Sequence, residues 1–292
     1  MTFTTALVAG ATGAIGAEVV RELQSRAIRV RVLVRDPSRL AVEPEEVFLG
    51  NLQNPRTLEG ACEGMEAVVS CAGAPLRRRP PLSARKDETF HNVDDVGNRS
   101  LLQEAVGASV RRFAYVSVYG GRFLGMNEYI RAHESFAAAL WASGLRGLVV
   151  RPTTTFARLA PLVERARRKG KLTVVGTGQA RTNPVHEGDV ARALVDALDD
   201  PHAADLDVGG PETLTQGEIA ELAAEAAGGA RVRYTFTWRS QVAAGLLRFA
   251  SSHNHDVASH ELALSAVDIV APPVGVRRLA DYFAELAGRG EA

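Results

Sequence analysis

The chain has 292 residues, 46% of them hydrophobic and 23% charged, which is enough apolar content for a sizeable core and too much for a disordered chain. Its 34 Lys and Arg balance its 34 Asp and Glu, so it lacks the basic surplus of a typical nucleic-acid binder. The two cysteines have no metal-ligand spacing, no apolar run reaches the roughly 18 residues of a membrane span, and the N-terminus lacks a basic leader. The expectation is a cytoplasmic protein with no nucleic-acid or membrane partner.

In chain order, the run Ala6 to Ala9 reads as a short buried strand, followed by Gly10-Ala11-Thr12-Gly13-Ala14-Ile15-Gly16 and then by Ile15, Val19 and Leu23 at helical spacing. The glycines therefore sit where a strand turns into a helix. Without a Cβ the backbone can turn tightly and approach a ligand, and the free N–H groups of the helix start suit a pyrophosphate. That context makes the glycine spacing a dinucleotide fingerprint rather than a bare pattern.

Val30 to Val34 is the second strand, Glu46 to Leu49 the third, Ala67 to Ser70 the fourth, Phe113 to Ser117 the fifth and Leu148 to Val150 the sixth. Helices are expected from Asn54-Pro55, with Asn as cap, from Phe90 to Val106, and from Glu128 to Ser143, where Gly144 stops it. Such alternation implies an α/β fold with a doubly wound parallel sheet, which binds ligands beyond the carboxyl ends of its strands. The segments found there are Gly10 to Gly16, Arg35, Asn51-Leu52, Ala72-Gly73, Ser117 and Pro152.

Residues 1–152 are read as the Rossmann dinucleotide domain and 153–292 as a smaller portion covering the substrate cleft. In that portion Thr155 to Lys169, Glu187 to Leu198 and a segment opened by Thr215 with Glu218 as a capping box read as helices. Leu172 to Val175, Leu206 to Val208 and Val232 to Phe236 read as strands, and helices fill most of the remainder. The Pro- and Arg-rich segment from Ala74 to Lys86 reads as a solvated surface loop, the other reading being a mobile flap. His186 reads as a structural histidine, the other reading being an acid at the substrate pocket. The run Ser251-Ser-His253-Asn-His255-Asp256 reads as an exposed turn before a helix, and His253, His255 and His260 with Glu261 are not read as a metal site.

At the end of the second strand such folds place the residue that meets the adenosine ribose. An acid there favours NAD, and an Arg accommodates a 2′-phosphate. Here the position holds Arg35, with Arg39 nearby, which favours NADP over NAD. Asp36 would reverse this if the register moved by one residue.

These residues resemble the short-chain dehydrogenase/reductase superfamily, in particular its atypical NmrA-like and related NAD(P)H-binding branch. The resemblance rests on the glycine loop, Val32-Leu-Val-Arg35-Asp, Gly50-Asn51-Leu52, His91-Asn92-Val93, Tyr115-Val-Ser117 and Leu148-Val-Val-Arg151-Pro152. It continues through Asn183-Pro-Val-His186-Glu-Gly-Asp189 and Gly209-Gly-Pro211-Glu-Thr-Leu-Thr215. Superfamily members commonly carry a Ser that holds the substrate oxygen, a Tyr that exchanges its proton, and, four residues later, a Lys that binds the nicotinamide ribose and lowers the Tyr pKa. The resemblance carries these roles to Ser117, Tyr129 and His133, a His in the Lys position. A neutral imidazole can bond the ribose but loses most of the Coulomb help to the phenol. Tyr129, His133, Phe136 and Leu140 also form a stripe that would pack on the sheet without any catalysis.

The resemblance implies an NADP-dependent oxidoreductase reducing a small organic carbonyl or enone, as a monomer or homodimer. The missing Lys keeps a second reading open: a non-catalytic NADP(H)-binding protein that reports redox state, as some NmrA-like proteins do.

Overall fold

A computed structural model describes residues 2–79, 88–121, 124, 127–237, 245–247 and 251–289. Its centre is a seven-stranded parallel sheet made of β1 (Thr5–Ala9), β2 (Arg29–Val34), β3 (Glu46–Leu49), β4 (Ala67–Ser70), β5 (Arg112–Val116), β6 (Arg146–Pro152) and β9 (Asp205–Val208). The strand order is β3-β2-β1-β4-β5-β6-β9, so the winding reverses between β1 and β4. The carboxyl ends of these two strands flank the crevice where such sheets bind ligands.

Strand residues alternate between two cores. Ala6, Val8, Val69, Ala114 and Val150 pack on one face with α1 (Ala14–Ser25) and α6 (Glu187–Asp199). Leu7, Ala9, Val68, Phe113, Tyr115 and Val149 pack on the other with α2 (Asn98–Gly107) and α3 (Glu128–Trp141). Both faces are covered, which is why the strands read as continuous apolar runs.

The sheet does not end at Pro152. Its seventh strand, β9, pairs in parallel with β6, and α6 packs on α1. Residues of the second half thus complete the first half's sheet. The second half also has its own core, in which Phe156, Val163, Leu172, Ile219 and Phe283 meet. Around it lie α4 (Phe156–Leu159), α5 (Pro161–Lys169), α7 (Gln216–Ala226) and α9 (Leu279–Arg289), with β7 (Lys171–Val175) pairing in parallel with β11 (Arg231–Thr235). β8 (Arg181–Thr182) pairs with β10 (Leu214–Thr215), and the expected capping box of Thr215 and Glu218 is present.

Four local expectations need correction. The helix expected at Asn54 is a single 3₁₀ turn, Pro55–Leu58, and the Asn54 side chain does not cap it. The helix expected from Phe90 begins as a wide π-helical stretch, His91–Gly97, whose Val93 and Asp94 carbonyls accept from the Asn98 amide. The helix expected from Thr155 to Lys169 is broken into α4 and α5 at Pro161, which has no N–H to donate. His253 and His255 lie within α8 (Ser252–Leu264), a helix capped by the Ser251 hydroxyl, and not in an exposed turn before it; His260 lies on the same helix.

Candidate functional site

The glycine loop is fixed by contact. Gly10 has φ +83°, and a Cβ there would lie 2.6 Å from the Cys71 carbonyl carbon. A Cβ on Gly16 would stand 2.2 Å from the Gly10 carbonyl oxygen, so this glycine lets α1 start directly against the end of β1. Gly13 donates its N–H to Gly10 O at 2.9 Å and precedes α1 without any side-chain cap. The first-turn N–H groups of a 12-residue helix are thereby left for an anion, with no acidic side chain in that turn. The bare backbone at Gly10 and Gly16 fits a closely held pyrophosphate.

Beside this loop a cavity of about 350 Å³ is lined by Gly10, Thr12, Gly13, Arg35, Arg39, Asn51, Leu52, Ala72 and Gly73, all expected from the sequence. Ala11 is buried beneath the loop, Ala14 is exposed, and Ile15 and Pro152 line a different cavity. The Asn98 amide also donates to Ala72 O while its carbonyl oxygen accepts from the Ser70 hydroxyl, holding the 72–73 edge of the cleft against the end of β4. Arg35 and Arg39 border a neighbouring depression with Thr12, Asp36 and Glu88. Arg35 Nη1 donates to Glu88 Oε1 at 2.6 Å, a partner the sequence did not single out. The Asp36 carboxylate turns away to cap the Pro37–Arg39 turn, accepting from the Ser38 hydroxyl and N–H, which hold its pKa below the usual carboxylate range.

A second cavity, of about 160 Å³, is lined by Ile15, Leu76, Ser117, Tyr129, Pro152, Thr153, Arg158, His260 and Ile269, among others. The Ser117 N–H donates to Val150 O at 2.8 Å, so the residue sits just past β5, and its buried Oγ has no partner among the described residues. Tyr129, on the first turn of α3, is half-buried with its ring against Phe90, His133 and His260. Burial pushes its phenol above the ordinary tyrosine value despite the opposing pull of Arg158. Tyr129 therefore holds its proton and is a hydrogen-bond donor at neutral pH.

His133 borders neither cavity. Its Nδ1 lies 2.6 Å from the Tyr115 hydroxyl and its Nε2 3.3 Å from Asp94 Oδ1. Asp94 Oδ2 accepts from the Ala74 N–H, and a Cβ on Gly73 would be only 2.6 Å from Asp94 Oδ1. All three side chains are buried. Desolvation drives the His133 pKa down to about 3 and that of Asp94 up to about 8, which favours an uncharged pair at neutral pH. Tyr115 entered the sequence reading only as part of the Tyr115-Val-Ser117 motif, with no role of its own, and Asp94 was not singled out.

His186 caps α6 by accepting from the Gly188 N–H at 2.9 Å, and it does not line the second cavity. Asp189 is buried and accepts from the N–H groups of Val276 and Arg277, tying the C-terminal segment to α6. The segment expected as a solvated loop is described only over residues 74–79, with 80–86 outside the described residues. Its described part is exposed at Pro75, Arg77 and Arg78 and is also anchored: Asn254 exchanges two hydrogen bonds with the Arg79 backbone, His253 Nε2 lies 3.0 Å from Arg77 O, and Arg158 donates to Leu76 O. No helix among the described residues is long and apolar enough to cross a membrane. Among the same residues no cluster of three or more His, Cys, Asp or Glu could hold a metal ion.

Residues 10–201, more than half of the chain, match the model of a family described as NAD(P)H-binding. The chain belongs to that family. It is 27% identical over 298 residues to the NAD(P)H azoreductase of Xenophilus azovorans, covering 97% of this chain and 93% of that one. To the ceramide reductase of Caulobacter vibrioides it is 31% identical over 199 residues, covering 64% of this chain and 59% of the relative. The chain thus spans less than two thirds of the latter's length. Among solved structures it is similar to the NADPH-dependent quinone oxidoreductase of Escherichia coli complexed with NADPH, with a TM-score of 0.69, 17% identity and coverage of 96% and 99% of the two chains. At that identity the likeness concerns the fold alone. Family and fold agree with the resemblance to atypical short-chain dehydrogenases/reductases.

Proposed function

We propose that this NAD(P)H-binding protein is an NADP-dependent oxidoreductase that reduces a small organic carbonyl or enone. The observation that carries this reading is the pairing of two cavities. One is cradled by the glycine loop, with Arg35 and Arg39 at its rim; the other holds the unpartnered Ser117 Oγ and the protonated Tyr129. Two arginines beside Thr12 suit a 2′-phosphate. The names of the azoreductase and the ceramide reductase support a reductive role.

When bound, NADPH supplies a hydride. Ser117 donates a hydrogen bond to the substrate oxygen and fixes its orientation. Tyr129 donates its phenolic proton to the same oxygen as negative charge develops there, and it is reprotonated from solvent. A carbonyl thus becomes an alcohol by gaining one hydride and one proton. For an enone the oxygen is held in the same way, and the α-carbon takes its proton from water. Ile15, Leu76 and Ile269 give the cavity apolar walls. His133, stacked edge-on against Tyr129 and bonded to Tyr115, positions the phenol and does not reach the cleft.

Steady-state NADPH oxidation with a panel of small carbonyls and enones tests this reading. Tyr129→Phe is expected to lower kcat on a carbonyl by about 10²-fold or more; unchanged turnover removes Tyr129 from the mechanism. The neutral, buried His133 in the lysine position favours a second reading, a non-catalytic NADP(H)-binding regulator. Tight NADPH binding with no hydride transfer to any member of the panel would support it.

A further inference from the structure

Among the described residues that line it, the second cavity has one permanent charge. Its walls are apolar at Ile15, Leu76, Leu264 and Ile269 and neutral at Ser117, Tyr129 and three threonines. His260 is 2% exposed, and burial together with Arg158 pulls its pKa to about 3, so it too is neutral. Among the described residues lining the cavity there is no carboxylate. The one charged side chain among these lining residues is Arg158, on the short helix α4.

Arg158 is half-buried and makes no ion pair among the described residues. Among the same residues its one hydrogen bond runs from Nη1 to the Leu76 carbonyl at 3.0 Å. That neutral acceptor fixes the guanidinium under the 74–79 segment and leaves Nη2 and Nε for something else. A partly desolvated guanidinium without a counter-charge is costly to hold in a folded chain. Its planar fork matches a carboxylate, which would supply the missing charge through paired hydrogen bonds.

We propose that Arg158 is an anion-binding residue of the substrate pocket, and that the substrate is a small carbonyl or enone compound carrying a carboxylate. This rests on the reading of the second cavity as the substrate site. The carboxylate docks on Arg158, and the reacting oxygen turns toward Ser117 and Tyr129. A cavity of about 160 Å³ restricts the bound portion to a few heavy atoms.

Crotonate and crotonamide, equal in size but different in charge, serve as probes in calorimetric titrations of the NADP⁺-saturated protein. Crotonate is expected to bind at least ~10-fold more tightly than crotonamide, the scale of a charge-assisted hydrogen bond. Arg158→Met removes that preference and leaves NADPH affinity unchanged; Arg158→Lys keeps part of it. Equal affinities, no saturable crotonate binding, or a preference that survives in Arg158→Met overturns the proposal. So does loss of NADPH affinity in Arg158→Met, which would assign the guanidinium to the cofactor. If NADPH fails to bind the wild-type chain, the cofactor reading fails by itself, and the crotonate titration on the free protein still reports on Arg158.

Discussion

Gly16→Ala perturbs the cofactor cleft with a single methyl group. The new Cβ would lie 2.2 Å from Gly10 O, 2.7 Å from Gly10 C and 3.0 Å from Ala11 Cα. All three are backbone atoms, so no side chain can rotate out of the way. Restoring an ordinary contact requires the loop to retreat by roughly an ångström, at an overpacking cost of about 1–3 kcal/mol. For a chain of this size that lowers Tm by roughly 2–5 °C. The same retreat displaces the N–H groups aimed at the pyrophosphate, and NADPH affinity should fall at least ~10-fold, or about 1.4 kcal/mol. Thermal unfolding followed by circular dichroism and NADPH fluorescence titration read the two effects. Gly107→Ala, on a helix and where a Cβ would meet nothing within 4 Å, is the control and should leave NADPH affinity unchanged and Tm no lower than the wild type's. A Gly16→Ala protein with wild-type Tm and wild-type NADPH affinity would refute the close-approach argument.

Three further outcomes are expected. Between pH ~4 and ~8 the folded chain holds a proton on Asp94 that the unfolded chain has released, so this group makes stability fall as pH rises; His133, neutral when folded, makes stability rise from pH ~3 to ~6.5. Asp94 acts alone above pH ~6.5, so urea unfolding should show stability declining by of order 1 kcal/mol per pH unit up to pH ~8, and Asp94→Asn should flatten that limb. Glu88→Gln removes a carboxylate that neutralises Arg35 beside the expected 2′-phosphate site; NADPH titration should show a severalfold gain in affinity with NADH unchanged, and a loss would mean that Glu88 instead positions Arg35 for the phosphate. Asn183→Ala strips hydrogen bonds from Gly210 O, Ala271 O and Ala271 N–H in a buried site, and chemical denaturation should report a loss of about 2–5 kcal/mol.

The sheet was legible because its signals are local. Apolar runs alternate with helical periodicity, and three glycines mark the first turn. Arg35 was legible because its position is counted from those glycines. What was hidden depends on distant partners. Composition reads the Pro- and Arg-rich segment as solvated, yet residues 76–79 are held by Arg158, His253 and Asn254, and the last two lie about 175 positions away. Arg158 belongs to no motif and was not singled out in the sequence; α4 places it on the cavity. His133 drew attention because it stands where a lysine was expected. Its real neighbours, Asp94 and Tyr115, come from a π-helical stretch and a buried strand whose motifs marked the family but did not show that these side chains meet His133.

The most direct test of the account is a titration of the purified chain with NADPH and with NADH, repeated on Arg35→Ala. The account predicts saturable binding of both, tighter for NADPH, and a preference that collapses in the variant through loss of NADPH affinity. No binding of either nucleotide at near-millimolar levels would contradict the cofactor cleft itself. Equal affinities, or a preference untouched by Arg35→Ala, would contradict the assignment of the 2′-phosphate to Arg35.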